Sequence, residues 1–419
     1  MKIFSHILKI IKKTSPIQVR SLLFWMFLCS IVTFPLGRFF QVSLPIFCFL
    51  LLLWLYLIDW KNCVLHRLPV KKFFLLFFAC IGLQLVLSEW FALSLRTMSP
   101  NFYRGYLLPF IGMECIRNER DLRRLVWACA GTALYEGLDG IWQFVTGYDL
   151  IQHTAILRGR LTGSLGTYRV GNYMGMLCLP ALGIWFLWQT ERIIWKFLLT
   201  LLCLSPAFFL WIGAQARIGY LALVGGLYIV CCFVLFRKAG WKVFLLPVAA
   251  VVLLLFFGPE RVSFERILAD GRIPIWTTAW KTFLASPFLG WGGGTFAPAY
   301  LDQGLIIQEG QMQHPHNIYL QLLVDGGIVG FLGVACFLAV MTLWPFRRIR
   351  QAVRLEQQSG KSVYWRLTAL FWAGWLGFLI VGFAGHDFYR TWWVSTGFTM
   401  LGIVLGACVN GAERDGTQQ

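Results

Sequence analysis

The sequence predicts an all-α, polytopic membrane protein of about twelve transmembrane helices with one large, partly helical loop on its outer face. Three observations lead there. The 419 residues are 58% hydrophobic and 13% charged, where soluble domains carry about 25% charged residues. Apolar runs of about 20 residues recur along the chain, each long enough to cross a hydrocarbon core of about 30 Å. Lys and Arg collect in short segments between alternate runs, the pattern of topology signals. Such a chain reads as one integral membrane domain, 1–419.

Taken in order, the spans are expected near 19–36, 41–58, 73–91, 103–116, 125–146, 171–188, 197–213, 218–236, 242–258, 318–344, 367–384 and 391–409. The fourth is broken by Pro109. Segments 1–20, 59–72, 117–124, 189–196, 237–242, 345–366 and the tail together hold 25 of the 37 Lys and Arg residues. The positive-inside rule therefore places them, with both termini, in the cytoplasm. The basic N-terminus lacks a small-x-small cleavage site, so it reads as an uncleaved first helix.

The net charge of +18 is distributed as topology signals, so nucleic acid is not the expected partner; membrane lipid is. The twelve cysteines contain no C-x-x-C pair, which gives neither a metal site nor a disulfide framework. Gly290–Gly294 resembles a phosphate loop only superficially, since no Gly-Lys-Ser/Thr follows, and it reads as a tight turn. No cofactor is expected.

Two outer loops remain, 147–170 and the large loop 259–315, which is far longer than a connection without function. Ile275, Trp276, Ala279, Trp280 and Phe283 repeat at helical spacing inside it. Outer arginines are unexplained by topology. Arg217, in a very short connection, is either a snorkelling arginine or a phosphate contact. Arg272 either pairs with Asp270 or Glu265 in the loop or holds an anion. Arg160 and Arg169 flank glycines whose amides can approach an anion. In His314-Pro315-His316-Asn317, His316 is either a helix-capping or interfacial histidine or a general base, and it is preferred over His314 for that role because Pro315 turns the chain just before it. Asp387 either orients a histidine or arginine or pairs locally. Asp325 is expected at the membrane surface, with the span starting at Gly326-Gly327.

These residues occur in a recognisable order. Arg160-Leu161-Thr162-Gly163-Ser164-Leu165-Gly166 precedes Gly171-Asn172-Tyr173 and Ala216-Arg217-Ile218-Gly219. Then come Gly271-Arg272-x-x-x-Trp276, Ser286-Pro287-x-x-Gly290-x-Gly292-x-Gly294-Thr295-Phe296, and His314-x-His316-Asn317-x-x-Leu320 before Gly326-Gly327. The set, over roughly 155–335, resembles the O-antigen ligase and polymerase superfamily of integral membrane glycosyltransferases. The resemblance implies metal-independent transfer of a glycan from undecaprenyl diphosphate, in the ligases to a sugar hydroxyl of lipid A-core. It implies His316 as general base, Arg217, Arg272, Arg169 and Arg160 as diphosphate ligands, and His314, Asn317 and Asp387 in support. It also implies an inner-membrane location with the site facing the periplasm. Polymerases and protein O-oligosaccharyltransferases share this plan. A transporter would instead carry polar residues through several span centres, and here they gather at the outer face.

Overall fold

A computed structural model describes residues 15–235, 271–307, 310–359 and 362–414. Among these residues the secondary structure is helical, apart from two isolated bridges, Tyr148 with Ala155 and Leu157 with Arg160. Apart from the short turn Val64–Arg67, the α-helices are α1 (Pro16–Thr33), α2 (Arg38–Asp59), α3 (Lys72–Val86), α4 (Phe91–Asn101), α5 (Leu108–Cys115), α6 (Glu119–Thr146) and α7 (Val170–Ala181). They continue as α8 (Ile193–Gly213), α9 (Arg217–Val230), α10 (Arg272–Ala285), α11 (Phe296–Asp302), α12 (Ile318–Ser359), α13 (Tyr364–Gly382) and α14 (Thr391–Arg414). Seven helices among the described residues are long and apolar enough to cross a membrane, and α3 and the helix beginning with α7 are shorter apolar ones. The chain is a polytopic, all-helical membrane protein; the expected ninth span, 242–258, lies outside the described residues, as does 259–270 of the large loop.

Two expected spans take a different form. The connection expected between spans three and four is helical: α4 runs through a π-helical turn, Phe102–Tyr106, into α5. Pro100 sits inside α4 and Pro109 at the start of α5, and a proline removes the amide that a continuous ladder needs. The expected fifth span is the 28-residue α6, which is long enough to cross but buries Glu136, Asp139 and Gln143 along its inner face.

The centre of the bundle is α13 and α14, whose spans are 83% and 89% buried, whereas those of α2 and α8 are 22% and 28% buried. The outer helices accordingly expose Leu50, Leu53, Leu57, Leu202 and Ile212, an apolar surface suited to lipid. Small residues bring the inner helices together. A Cβ on Gly219 of α9 would meet the Gly171 carbonyl oxygen of α7 at 2.4 Å, and one on Gly402 of α14 would meet the Pro109 oxygen of α5 at 2.6 Å. Contacts this close need glycine at Gly219 and Gly402, and small residues serve other helix pairs packed in lipid in the same way.

The described part of the large loop has its own small core. Ile275, Ala279 and Phe283 of α10 form an i, i+4, i+8 stripe that packs with Phe296, Tyr300 and Val324. The glycine run Gly290–Gly294 then lies over α12, where that helix breaks direction at Gly327 (φ 58°, ψ −164°). The break frees backbone groups, and the loop satisfies them. Trp291 and Gly292 amides donate to the Val324 and Asp325 carbonyls at 2.9 Å each, while Ile328 and Val329 amides donate to Pro287 and Phe288 at 2.8 and 3.2 Å. The glycines are thus a backbone clamp rather than a phosphate cradle. The clamp also corrects the expected surface position of Asp325: it is fully buried, because the loop rather than water covers this turn of α12.

Candidate functional site

The site is built on the N-terminus of α12. Asn317 caps that helix, its Oδ1 accepting from the Tyr319 amide at 2.9 Å and the Leu320 amide at 3.1 Å. Immediately before the cap, His316 takes a left-handed backbone (φ 55°), a conformation costly for a residue with a Cβ. The turn brings the His314 and His316 rings to 4.2 Å between centroids, and the His316 amide donates to His314 Nδ1 at 3.3 Å. His314 therefore carries its proton on Nε2. Strain of this kind accumulates at functional sites.

A second turn, between α13 and α14, faces this one. Its anchor is Gln321, one turn into α12. Gln321 Nε2 donates to Asp387 Oδ1 at 2.7 Å, and Gln321 Oε1 accepts from the Phe388 amide at 2.8 Å. Asp387 also accepts from the Tyr389 amide at 2.9 Å. His386 in the same turn is fully buried, and its Nε2 lies 2.9 Å from Asn172 Nδ2 of α7. Further along α12 sits Asp325, fully buried, with neither carboxyl oxygen in a hydrogen bond among the described residues.

The third contribution comes from two helix N-termini. Arg169 is the N-cap residue of α7, and Arg217 opens α9. Because α7 and α9 cross at Gly171 and Gly219, these two N-termini are neighbours. Ile218 lies against Gly385, beside His386. Helix N-termini carry partial positive charge, so this corner favours anions even before the guanidinium groups are counted.

The electrostatics follow from the placement. Burial, then the charges of His314, Arg169, Arg272 and Arg390, push the His316 imidazole down to about 3. Burial also lowers His314, opposed by Asp387 and assisted by Arg169 and Arg390. His386 is held well below the usual histidine value by burial and by Arg169 and Arg390. All three rings are neutral at ordinary pH, inside a field of arginines. A cluster of neutral imidazoles and fixed cations can bind an anion and accept a proton.

The expected residues are distributed as follows. His314, His316, Arg169, Arg272 and Asp387 converge, with Asn317 as the helix cap. Arg217 stands exposed at the adjoining N-terminus. Arg160 lies one step away, its guanidinium over the Tyr168 ring at 5.0 Å, and Tyr168 is near enough to Arg390 to act on its charge. Arg390, His386 and Gln321 were not among the expected site residues. The sequence signal for the first two was their adjacency to Asp387; Gln321 gave none, since a lone glutamine in an apolar helix has no pattern.

Residues 199–335 match the family model described as O-antigen ligase. This stretch runs from α8 into α12 and contains Arg217, Arg272 and His314–Asn317. A protein of Rickettsia conorii (strain ATCC VR-613 / Malish 7), provisionally named a polysaccharide ligase, is 25% identical over 141 residues. That alignment spans 32% of this chain and 30% of the relative. Arg160, Arg169 and the turn with His386, Asp387 and Arg390 fall outside the family match. The family match over 199–335 and the relative make this chain similar to O-antigen ligases over about a third of its length, in keeping with its all-helical membrane architecture.

Proposed function

We propose that this chain is an O-antigen ligase that moves a glycan from undecaprenyl diphosphate to a sugar hydroxyl of lipid A-core, at the periplasmic face of the bacterial inner membrane, in lipopolysaccharide biosynthesis. The observation that carries the reading is His316, half-buried in a left-handed turn and within electrostatic reach of Arg169, Arg272 and Arg390. In this reading the arginines, with Arg217 and the N-termini of α7 and α9, hold the donor diphosphate. His316 removes the proton from the acceptor hydroxyl as the new C–O bond forms at the anomeric carbon. The bond to phosphate breaks on the opposite face, so the anomeric configuration inverts and the diphosphate leaves as an anion among fixed cations.

A histidine held at about 3 is a weak base in the unliganded site. A diphosphate bound among the same arginines offsets their part of that depression, while burial, the larger cause, remains, so His316 becomes a somewhat stronger base when the donor is present. Base catalysis of this kind contributes about 10²–10⁴-fold. Arg169→Gln should weaken donor use by about 10²-fold, at about 3 kcal/mol for a fixed donor to a developing anion.

His316→Ala in purified, folded protein should abolish transfer to lipid A-core; near-wild-type activity would remove His316 from the base role. A polymerase or a protein O-oligosaccharyltransferase would use the same machinery with another acceptor. Deletion separates these. Loss of a ligase leaves lipid A-core without O-antigen while long polymer accumulates on its lipid carrier. Loss of a polymerase leaves core bearing a single repeat unit.

A further inference from the structure

We propose that a second site, at the end of the bundle opposite His316, binds the phosphate of an anionic phospholipid. The two ends are distinguished by α1. Arg20, near its start, pairs with Asp59 at the end of α2 at 2.6 Å. Phe34, just past its other end, stacks on Tyr173, the neighbour of the Asn172 that meets His386. At the Arg20 end, between α1, the end of α5 and the start of α6, lies a cavity of about 380 Å³ lined by Arg20, Arg117 and Arg124. That size falls in the range of small-ligand pockets, about 300–1,000 Å³.

The two carboxylates lining the cavity are already engaged by backbone. Glu114 accepts from the Leu65 amide at 3.1 Å and from Arg117 at 3.3 Å; Asp121 accepts from the Arg117 and Asn118 amides at 3.0 and 3.2 Å. The Nε atoms of Arg20 and Arg117 are buried and have no hydrogen-bond partner among the described residues. Orphaned buried donors are destabilising, and phosphate oxygens are the acceptors that match guanidinium groups. The surroundings specify a lipid. Arg124 lies over the Trp25 ring at 5.1 Å, and Trp25 and Ile17 are 48% and 77% exposed on the outside of α1. A headgroup in the cavity would place its acyl chains along that apolar rail. Basic pockets between membrane helices recognise anionic headgroups in this way. Some arginines that set topology by their number therefore also form a site by their arrangement.

Native mass spectrometry of the full-length protein tests this, with added phosphatidylglycerol, phosphatidylcholine or inorganic phosphate. Phosphatidylglycerol should be retained in preference to phosphatidylcholine. Arg124→Gln should weaken that retention about fivefold, the effect of one basic side chain at an anionic headgroup, and Arg124→Lys should restore most of it. Equal retention of the two lipids, or unchanged retention in Arg124→Gln, would overturn the proposal. So would displacement of the lipid by inorganic phosphate, which would mark a free-phosphate site. Loss in both variants would assign Arg124 a packing role on Trp25 and overturn it as well.

Discussion

Gln321 is the joint between the two halves of the site, so its removal is the sharpest test of the geometry. Gln321→Leu keeps the volume and the helix propensity but deletes both side-chain hydrogen bonds. The Phe388 amide, in a buried residue, would lose its 2.8 Å acceptor, and Asp387 would lose its 2.7 Å donor. An orphaned buried donor costs about 1–3 kcal/mol, and a hydrogen bond to a charged group contributes about 1.5–3 kcal/mol, giving about 2.5–6 kcal/mol together. That cost falls on the turn carrying His386, Asp387 and Arg390 rather than on the whole bundle. Relaxing the turn would move it against α12 by a fraction of an ångström to an ångström, enough to reduce the proposed glycan transfer about 10²-fold. The assay is glycan transfer by purified protein, read beside thermal unfolding in the same detergent. Wild-type transfer at wild-type unfolding temperature would show that the turn is not held by Gln321. A large loss of stability without a change in transfer by the folded fraction would equally refute a positioning role.

Two further outcomes follow from the same structure. The folded-state values of His314, His316 and His386 are all lowered relative to unfolded histidine, so the unfolded chain binds more protons on acidification. The stability they contribute is complete above about pH 6.5 and is lost as pH falls toward about 3 for His316. Unfolding temperature should therefore drop on acidification, and His316→Gln should flatten part of the drop; an identical pH profile would contradict the placement of His316. Gly290→Ala should unseat the clamp on α12, because its Cβ would lie 2.5 Å from the Gly327 amide nitrogen at a backbone φ of +71°. About 1–2 kcal/mol is expected from the left-handed backbone alone, with a further loss from the clash, read as increased protease sensitivity of the 286–296 loop. Unchanged protease resistance would show that the loop tolerates the displacement.

Much of the fold was legible because a bilayer imposes length and polarity on every span. The expected helix in the large loop appears as α10, since the repeat at Ile275, Ala279 and Phe283 is the very stripe that packs. The span at α4–α5 was less legible, since Pro100 and Pro109 divide a helix that still continues through a π-helical turn. The span at α6 was expected, but not the use of its acids, which hold a loop. Asp139, for example, accepts from Ser164 Oγ at 2.8 Å and from the Leu150 amide at 2.7 Å, tying α6 to the 147–170 loop.

The site divides in the same way. The sequence by itself determined the membrane class, the arginines of the 147–170 and 259–315 segments as candidates, and the histidine pair before Asn317, because composition and local order carry those signals. Only the tertiary structure decided that Asp325 is buried, that Gly290–Gly294 clamps a kinked helix, and that Gln321 joins α12 to the His386 turn. Those facts depend on contacts between segments far apart in the chain, and the burial of a carboxylate or the partner of a glutamine is set by what folds over it rather than by its neighbours in sequence.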